Sequence, residues 1–385
     1  MSPGLTADVS PASQLVLPAY QSSSLADLTP GLGAHLGVPG CDDDPLRLPD
    51  AARYVLVLID GLGFHLVRRA IREAPYLASL LGDGAAITVG IPSTTATSVA
   101  SLGTGLSPGQ HGIVGYTSRV PATGEILNAL TWDSALDPQT YQPKPTFFER
   151  ASGAGIAVSS VAIERFRDTG LTRAALRGAS FIGFKHEHQE DRRIDLIVEA
   201  ASRGERSLVY AYERELDHTG HALGCGSPEW LLHLARIDAM CERLRDALPD
   251  DVRMIITGDH GMVDVPKSRQ ILAESEPELM AGVTALAGEG RFRQLYVDHD
   301  DVDGVARRWQ DRLGETAWVR TRDEAIDEGW FGGVDDQLRE RYGHVLVAMR
   351  EDYAVMTTQF PRELDLVGMH GSLTPAEMLV PLFTD

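Results

Sequence analysis

The sequence predicts an α/β protein with a doubly wound, mostly parallel sheet flanked by helices. Three segments support this fold class: RYVLVLIDGLG at 53–63, SLVYAYERELDHTGHALG at 207–224 and RMIITGDHGMVD at 253–264. Each begins with an apolar stretch of strand length and ends in a turn that carries Asp, His or Gly. Continuous apolar strands are typical of parallel sheets covered on both faces, and strands that alternate with helices define the doubly wound class.

Helical patterns lie between these strands. Residues 64–70 have helical composition, and the apolar residues of EWLLHLARIDAMCERLRDAL at 229–248 recur every three or four positions, as in an amphipathic helix. In GIPSTTATSVASLGTGLSPGQHGIVGY at 90–116, a β-like run ends at Pro92. A helix of small residues is expected to follow it, from about Thr94 through Leu102.

Changes in composition predict three regions. Residues 1–50, rich in Pro, Gly, Ser and Asp, are expected to form an extended N-terminal lead-in. Residues 51–270 together with 346–385 are expected to form the catalytic α/β core. Residues 271–345, which contain QLYVDHDD and TAWVRTRDEAI, are expected to form a small α+β insertion resembling a cap.

The charge balance excludes some classes of partner. The 385 residues include 35 Lys and Arg against 55 Asp and Glu, which gives a formal net charge of −20. This excess of acid argues against a nucleic-acid polymer, whose binding needs basic residues, and against an anionic membrane surface. It does not exclude a small phosphate substrate, because a bound divalent metal can dominate the local field.

The cysteines and the N-terminus indicate a cytoplasmic protein. Cys41, Cys225 and Cys241 are widely spaced and form no CxxC pair, which argues against a disulfide scaffold and a four-cysteine zinc site. The first twenty residues lack the basic and apolar regions of a signal peptide. The apolar stretches are of strand length, well short of a membrane span.

Two Asp-His pairs lie at the predicted strand ends, where open α/β sheets bind ligands. Asp217 and His221 are four residues apart and would share one face of a helix. Asp259 and His260 follow a strand in TGDHG, where the flanking glycines allow the chain to turn. Each pair alone could be an ordinary cap or turn.

Asp60 in LIDGLG and His370 in GMHGS bring the set to three carboxylates and three imidazoles. These ligands suit zinc, with manganese as the alternative. Because a single catalytic zinc usually has three protein ligands, six predict a two-metal site.

Hydroxyl groups occupy the start of the predicted helix in PSTTATS, at Ser93, Thr94 and Thr95. Alone, such a residue is best interpreted as a helix cap. Beside a metal site, a nucleophilic threonine becomes the better interpretation, because a metal can lower the pKa of a hydroxyl enough for attack.

These motifs together resemble the nucleotide pyrophosphatase/phosphodiesterase (type I phosphodiesterase) family of the alkaline phosphatase superfamily. The matching segments occur in the family's order: LIDGLG at 58–63, IPSTTATSVASLGTGLSPGQHGIVG at 91–115, LDHTGHALG at 216–224, ITGDHGM at 256–262 and MHG at 369–371. The resemblance implies an alkaline phosphatase-like fold with two zinc ions.

The resemblance also implies roles for individual residues. Thr95 would be the nucleophile and form a covalent phospho-threonine intermediate, with Thr94 as the alternative one position earlier. The implied ligands are Asp60, Thr95, Asp259 and His260 for one metal, and Asp217, His221 and His370 for the other.

The sequence departs from the family pattern at two positions. Members that cleave nucleotides commonly have an aromatic residue directly after the nucleophile, where this chain has Ala96. The family often has an Asn at the end of the GIV motif, where it helps to bind a phosphoryl oxygen. Tyr116 occupies that position and could donate its hydroxyl instead.

We therefore expect a metal-dependent hydrolase of phosphoric esters, most consistent with a phosphodiesterase or nucleotide pyrophosphatase. Its substrate would be a small phosphate ester, with nucleotides among the candidates. A phosphomonoesterase or a phosphonate hydrolase similar to phosphonoacetate hydrolase could use the same site. A non-catalytic metal-binding scaffold is disfavoured, because all seven implied ligand positions are filled.

Overall fold

The computed structural model describes residues 14–82 and 86–385. In these ranges the strands are β1 Arg53–Ile59, β2 Ala86–Thr88, β3 Thr117–Arg119, β4 Ile126–Asn128, β5 Ala157–Ile163, β6 Ser180–Phe184, β7 Ser207–Glu213, β8 Val252–Gly258, β9 Val263–Asp264, β10 Gln270–Leu272, β11 Val283–Glu289, β12 Phe292–Val297, β13 Ala317–Thr321, β14 Val345–Met349, β15 Ala354–Met356, β16 Gly368–Met369 and β17 Leu379–Thr384. The α-helices are α1 Leu25–Leu36, α2 Phe64–Arg69, α3 Pro75–Ser79, α4 Thr95–Thr104, α5 Pro108–His111, α6 Pro138–Tyr141, α7 Phe147–Gly153, α8 Gly170–Ala175, α9 Glu190–Ala201, α10 Glu215–Leu223, α11 Pro228–Ala247, α12 Pro277–Met280, α13 Val302–Leu313, α14 Arg322–Asp327 and α15 Pro375–Met378.

Seven strands form the central sheet, in the order β2-β17-β8-β1-β7-β5-β6. Strand β1 lies between β7 and β8 and is parallel to both, so that Ile59 is opposite Glu213 on one side and Gly258 on the other. Strands β5 and β6 continue the parallel arrangement. Only the last strand of this sheet, β17, runs antiparallel, and it pairs with both β8 and β2. The arrangement confirms the predicted doubly wound, mostly parallel fold.

The apolar run of β1 reflects burial on both faces of the sheet. Tyr54 and Leu56 belong to one apolar cluster, whereas Val55 and Val57 belong to another. Because successive side chains of a strand point to opposite faces, the two clusters lie on opposite sides. Helices α1, α4 and α7 contribute to the first cluster, and α2, α9 and α11 contribute to the second.

A second sheet of four antiparallel strands, in the order β11-β12-β14-β13, occupies the later part of the chain. Helix α13 covers it, and Trp309 is fully buried in the apolar cluster between them. Strand β14 pairs with both β12 and β13 and runs to Met349. The second sheet therefore continues past residue 345, where the sequence analysis placed the end of the insertion. The division into domains stays a prediction.

The lead-in predicted for residues 1–50 is not extended throughout. Residues 1–13 lie outside the described ranges, but α1 begins after Ser24 with a capping box completed by Asp27. Leu25, Leu28 and Leu32 are fully buried at helical spacing. The prediction of an extended segment was wrong here because the Pro and Gly content of α1 masked a periodic leucine pattern whose burial stabilises the helix.

Among residues 14–82 and 86–385, no helix combines the length and the apolar character that crossing a bilayer requires. The cytoplasmic location stays a prediction.

Candidate active site

The predicted site residues converge at the carboxyl edge of the central sheet. Asp60 directly follows β1, Asp217 lies on α10 after β7, and Asp259 and His260 follow β8. Strand β16 pairs with β9, which follows the Asp259–His260 turn in the sequence. His370 directly follows β16 and therefore lies at the same edge. Since β1, β7 and β8 are parallel neighbours, three separate strand ends supply these groups at one edge.

The glycines that flank Asp259 and His260 are needed for space rather than for a left-handed turn. Neither Gly258 nor Gly261 has a positive φ. A Cβ at Gly258 would lie 2.3 Å from the carbonyl oxygen of Leu62, and one at Gly261 would lie 2.0 Å from that of Ala376. The turn therefore depends on close contact between backbones, which corrects the sequence-based reason for these glycines.

The first cluster surrounds the hydroxyl of Thr95. Its Oγ1 lies 3.4 Å from Asp60 Oδ1 and 3.2 Å from His260 Nε2. His260 Nε2 also lies 3.3 Å from Asp60 Oδ1 and 3.6 Å from Asp259 Oδ2. One ligand atom from each of Asp60, Asp259 and His260 falls within 4.8 Å of the others, a spacing that could hold a metal ion.

The second cluster centres on Asp217. Its Oδ1 lies 3.4 Å from His221 Nε2, one helical turn along α10, and 4.0 Å from His370 Nε2. Ligand atoms of Asp217, His260 and His370 also fall within 4.8 Å of one another. The rings of His260 and His370 stack with centroids 3.6 Å apart, so the two clusters are contiguous. His218, which lies between Asp217 and His221 on α10, is exposed.

Backbone carbonyls orient all three histidines in the same way. Nδ1 of His221 lies 2.7 Å from Gly368 O, Nδ1 of His260 lies 3.1 Å from Gly261 O, and Nδ1 of His370 lies 3.0 Å from Ser93 O. Because a carbonyl oxygen can only accept, each Nδ1 carries the proton and donates it. The neutral form of each ring therefore presents the lone pair of Nε2 to the carboxylates, as a metal ligand must.

Two buried carboxylate oxygens also fit a cation. Oδ1 of Asp217 and Oδ2 of Asp259 are inaccessible to solvent and have no hydrogen-bond partner among the described residues. Burying an ionised carboxylate without a partner is costly, and such groups are normally paired or bound to a metal. The orphaned oxygens and the three Nε2 atoms therefore form a donor set suited to divalent zinc or manganese.

The pKa shifts of the clustered carboxyl and imidazole groups are also consistent with a cation site. Burial, reinforced by the charge on Asp60, raises the pKa of Asp217 and that of Asp259 well above their ordinary values. Burial acts to raise the pKa of Asp60 too, but hydrogen bonds and the charge of His260 hold it below its ordinary value. Burial acts to lower the pKa of His260, but the carboxylates of Asp259 and Asp60 raise it to about 10. A protonated His260 thus supplies the positive charge that a bound cation would provide.

Thr95 and Thr94 differ in their position on α4. Thr95 is the first residue of the helix, and its hydroxyl faces Asp60 and His260. Thr94 is the N-cap residue, although its side chain makes no capping hydrogen bond. Both line the cavity described next, but the contacts favour Thr95 as the group next to the carboxylates.

A cavity of about 790 Å³ opens over the clusters. Tyr116, predicted to contact substrate, lines it, as do Asp60, Thr95, Asp217, His221 and His370. Asp259 and His260 lie below this surface and are fully buried. Ala96 is also fully buried, and Phe166 and Phe181 provide aromatic surface elsewhere on the wall.

Two polar residues next to the clusters were not found by sequence reasoning. The hydroxyl of Tyr212 donates to Asp60 Oδ2, which leaves Oδ1 facing Thr95. Glu289 Oε2 lies 3.3 Å from His370 Nδ1. Tyr212 lies in the apolar run of β7, and Glu289 in AGEGR resembles a turn residue, so neither had a local signal.

The fold and the clustered ligands define an alkaline phosphatase-like α/β protein with a candidate metal centre at the carboxyl edge of its sheet. The profile of the family "Type I phosphodiesterase / nucleotide pyrophosphatase" matches residues 54–373. This match covers most of the sequence, and the chain belongs to that family.

Curated relatives and solved structures are consistent with this assignment. The chain is 26% identical over 266 residues to human ectonucleotide pyrophosphatase/phosphodiesterase family member 7. The aligned region covers 64% of this chain and 54% of the human protein. The rat protein of the same name is 25% identical over 257 residues, covering 62% of this chain and 56% of its own length. The chain thus spans about half the length of the curated relatives it matches.

Among solved structures, an inactive variant of murine ectonucleotide pyrophosphatase/phosphodiesterase 5 in complex with AMP superposes with a TM-score of 0.68 at 17% identity, covering 86% of this chain and 87% of that one. Phosphonoacetate hydrolase from Sinorhizobium meliloti 1021 in complex with phosphonoformate superposes with a TM-score of 0.66 at 21% identity, covering 88% and 90%. At these identities the superpositions confirm the alkaline phosphatase-like fold.

Proposed function

We propose that this protein is a two-metal phosphodiesterase or nucleotide pyrophosphatase that acts through a covalent phospho-threonine intermediate on Thr95. The observation that carries this proposal is the position of the Thr95 hydroxyl, 3.4 Å from Asp60 and 3.2 Å from His260 at the base of the cavity. Family membership supports the reaction class.

Seven residues would hold the metals, with zinc proposed and manganese as the alternative. One set is Asp60, Thr95, Asp259 and His260, and the other is Asp217, His221 and His370. When bound, two such ions supply Lewis-acid stabilisation of the charge that develops on the transferring phosphoryl group.

The chain's own residues position the nucleophile. Because the Tyr212 hydroxyl donates a hydrogen bond to Asp60 Oδ2, the other oxygen of this carboxylate, Oδ1, is held toward the Thr95 hydroxyl. Thr95 Oγ1 forms a bond to phosphorus while the bond from phosphorus to the leaving oxygen breaks. Water then cleaves the threonine ester and regenerates the hydroxyl. Fixed geometry lowers the barrier because the reacting groups need not be ordered during the reaction.

The cavity fits a small phosphate ester, and a nucleotide is a candidate. Arg165, Arg214 and Arg362 line it and would attract an anionic group despite the net acidic chain. Tyr116 is proposed to donate its hydroxyl to a phosphoryl oxygen. Phe166 and Phe181 would offer the aromatic surface that Ala96 cannot.

Hydrolysis of bis-p-nitrophenyl phosphate by zinc-loaded protein tests this proposal. Thr95→Ala is expected to lower kcat by at least about 10³-fold, because removal of a covalent nucleophile leaves only the rest of the site. Thr94→Ala is the matched control and should retain most of the activity. If Thr94→Ala lost the activity and Thr95→Ala retained it, Thr94 would be the nucleophile.

Phosphonate hydrolysis is a second candidate, favoured by the structural similarity to phosphonoacetate hydrolase. Assays of p-nitrophenyl phosphate and phosphonoacetate beside the diester separate the reactions. A higher kcat/KM for the diester supports the proposal, and a higher value for the monoester or the phosphonate identifies a phosphomonoesterase or a phosphonate hydrolase. Two bound metals without turnover of any of the three would favour a non-catalytic scaffold.

A further inference from the structure

We propose that Glu289, supplied by the second sheet, is a positioning residue that orients His370 for metal binding. The inference rests on the metal site of the proposed function. It assigns a role to a residue that none of the family motifs contains, and it connects the second sheet to the catalytic centre.

The position of Glu289 relative to His370 is the first observation. Glu289 is the last residue of β11, and its Oε2 lies 3.3 Å from His370 Nδ1. The same Nδ1 lies 3.0 Å from the carbonyl oxygen of Ser93. The Ser93 carbonyl accepts the hydrogen bond from Nδ1, and the Glu289 carboxylate lies beside the same N–H, so Nε2 remains free to face Asp217.

The backbone beside His370 is shaped to admit this carboxylate. Gly371 has a φ of 121°, a conformation that disfavours other residues. A Cβ at this position would lie 2.8 Å from both Cγ and Cδ of Glu289 and 3.0 Å from Oε1. Only glycine therefore allows Glu289 to approach the chain this closely.

The arginines that follow Glu289 in the sequence form salt bridges with other carboxylates rather than with Glu289. Arg291 and Arg293, which follow it in the same hairpin, pair with other buried carboxylates, Glu377 and Glu363. Glu289 is only 9% exposed, and its Oε1 has no hydrogen-bond partner in the described parts of the chain. Such burial is costly for stability, which favours a functional reason for this carboxylate.

A carboxylate at Nδ1 has two effects on a metal-binding histidine. It fixes the orientation of the ring, and it makes Nε2 a stronger donor. His370 is also joined to the segment that carries Thr95, because the backbone N–H of Ser93 donates to Gly371 O and the Ser93 carbonyl accepts from His370 Nδ1. Loss of Glu289 should therefore weaken one metal site without disrupting the central sheet.

Zinc affinity tests the inference independently of turnover. Competition of the protein with a chromophoric chelator should show one of two zinc ions bound about 10- to 100-fold more weakly in Glu289→Leu. Glu289→Gln, which retains an acceptor but not the charge, should show a smaller loss. Glu315→Gln is the control, because Glu315 is exposed between α13 and β13 of the second sheet region. The visible spectrum of the cobalt-loaded protein should change in the Glu289 variants only.

The outcomes separate this inference from the proposed function. Unchanged zinc affinity and an unchanged cobalt spectrum in both Glu289 variants would overturn the role of Glu289, while diester hydrolysis by the wild-type protein would leave the proposed function intact. A wild-type protein that binds no divalent metal would overturn both. Because Gln matches Glu in shape, Glu289→Gln decides the question if Glu289→Leu fails to fold.

Discussion

At the scale of single residues, buried polar side chains fix the helix that carries Thr95. His111 is almost fully buried, and its Nε2 lies 3.0 Å from Ser101 Oγ on α4. Its Nδ1 accepts a hydrogen bond of 3.1 Å from the backbone N–H of Ile113, so Nε2 carries the proton. Burial, assisted by the charge of Arg341, lowers the pKa of His111 to about 3. His111 is therefore a neutral structural residue near physiological pH.

This depressed pKa predicts that His111 makes folding sensitive to acid. Below pH 6.5 the unfolded chain binds a proton at His111 that the folded chain does not bind until about pH 3. Stability from this residue is therefore fully present above pH 6.5 and is lost as the pH falls toward 3. As the pH falls between these limits, the free energy of unfolding of the wild-type protein should decrease by about 1.4 kcal/mol per pH unit more than that of His111→Gln.

Denaturant titrations from pH 7 to pH 4 measure this difference. His186→Gln is the control for replacement of a histidine at an exposed position. Parallel pH profiles for the wild-type protein and His111→Gln would contradict the assignment of a neutral buried imidazole.

The residue scale also shows where sequence reasoning fails. Asp217 and His221 could be paired from their spacing, because a helix of any origin brings positions four apart together. Tyr212 and Glu289 could not be found in this way. Their contacts, with Asp60 and His370, join residues distant in the sequence, and only the folded chain shows them.

At the scale of elements, one buried carboxylate connects the second sheet to the C-terminal helix. Glu377 of α15 accepts two hydrogen bonds from Arg291, of 2.8 Å to Oε1 and 2.7 Å to Oε2. Its oxygens also accept from the backbone of Ser372 and the hydroxyl of Thr374. Glu377 and Arg291 are both fully buried, so the pair is screened little by solvent.

Glu377→Gln is expected to lower the free energy of unfolding by about 3–5 kcal/mol, because it leaves the Arg291 charge buried without an ionic partner. Glu199→Gln is the matched control. Glu199 pairs with Arg203 on the exposed surface of α9, where such a pair contributes about 0–1 kcal/mol. Chemical denaturation measures both values, and equal small losses would contradict the importance of the buried pair.

Elements could be predicted from the sequence where local pattern and burial agree. The predicted helix from about Thr94 through Leu102 corresponds to α4, and the helix predicted over 229–248 corresponds to α11. Helix α1 was missed because Pro30 and the glycines near it suggested an irregular segment. The packing of α1 against α4 and α7, which stabilises it, depends on residues far along the chain and is not encoded locally.

At the scale of the whole molecule, the candidate site concentrates buried acid in a protein whose net charge is already −20. Asp60, Asp217 and Asp259 lie close together with little access to water. Mutual repulsion of their charges opposes folding, and a divalent cation would relieve it. Global stability is therefore expected to depend on metal.

Thermal unfolding with and without a chelator measures this dependence. Zinc at 100 times its Kd should stabilise the folded protein by about 2.7 kcal/mol for each occupied site, relative to the metal-free form. His221→Gln should reduce this gain, because it removes one proposed ligand, whereas exposed His218→Gln should not. A midpoint that does not respond to zinc or chelator would contradict a metal centre.

The antiparallel strand β17 has a consequence for the order of events during synthesis. It fills the place between β2 and β8, so the central sheet stays divided until residues 379–384 have left the ribosome. His370 is made only shortly before this strand. Since segments of a growing chain become available from the N-terminus onward, Asp60 is made long before His370 and must wait for it. The candidate metal centre can therefore be completed only after His370 has been made, and a ribosome-bound chain stalled before His370 would lack the complete centre.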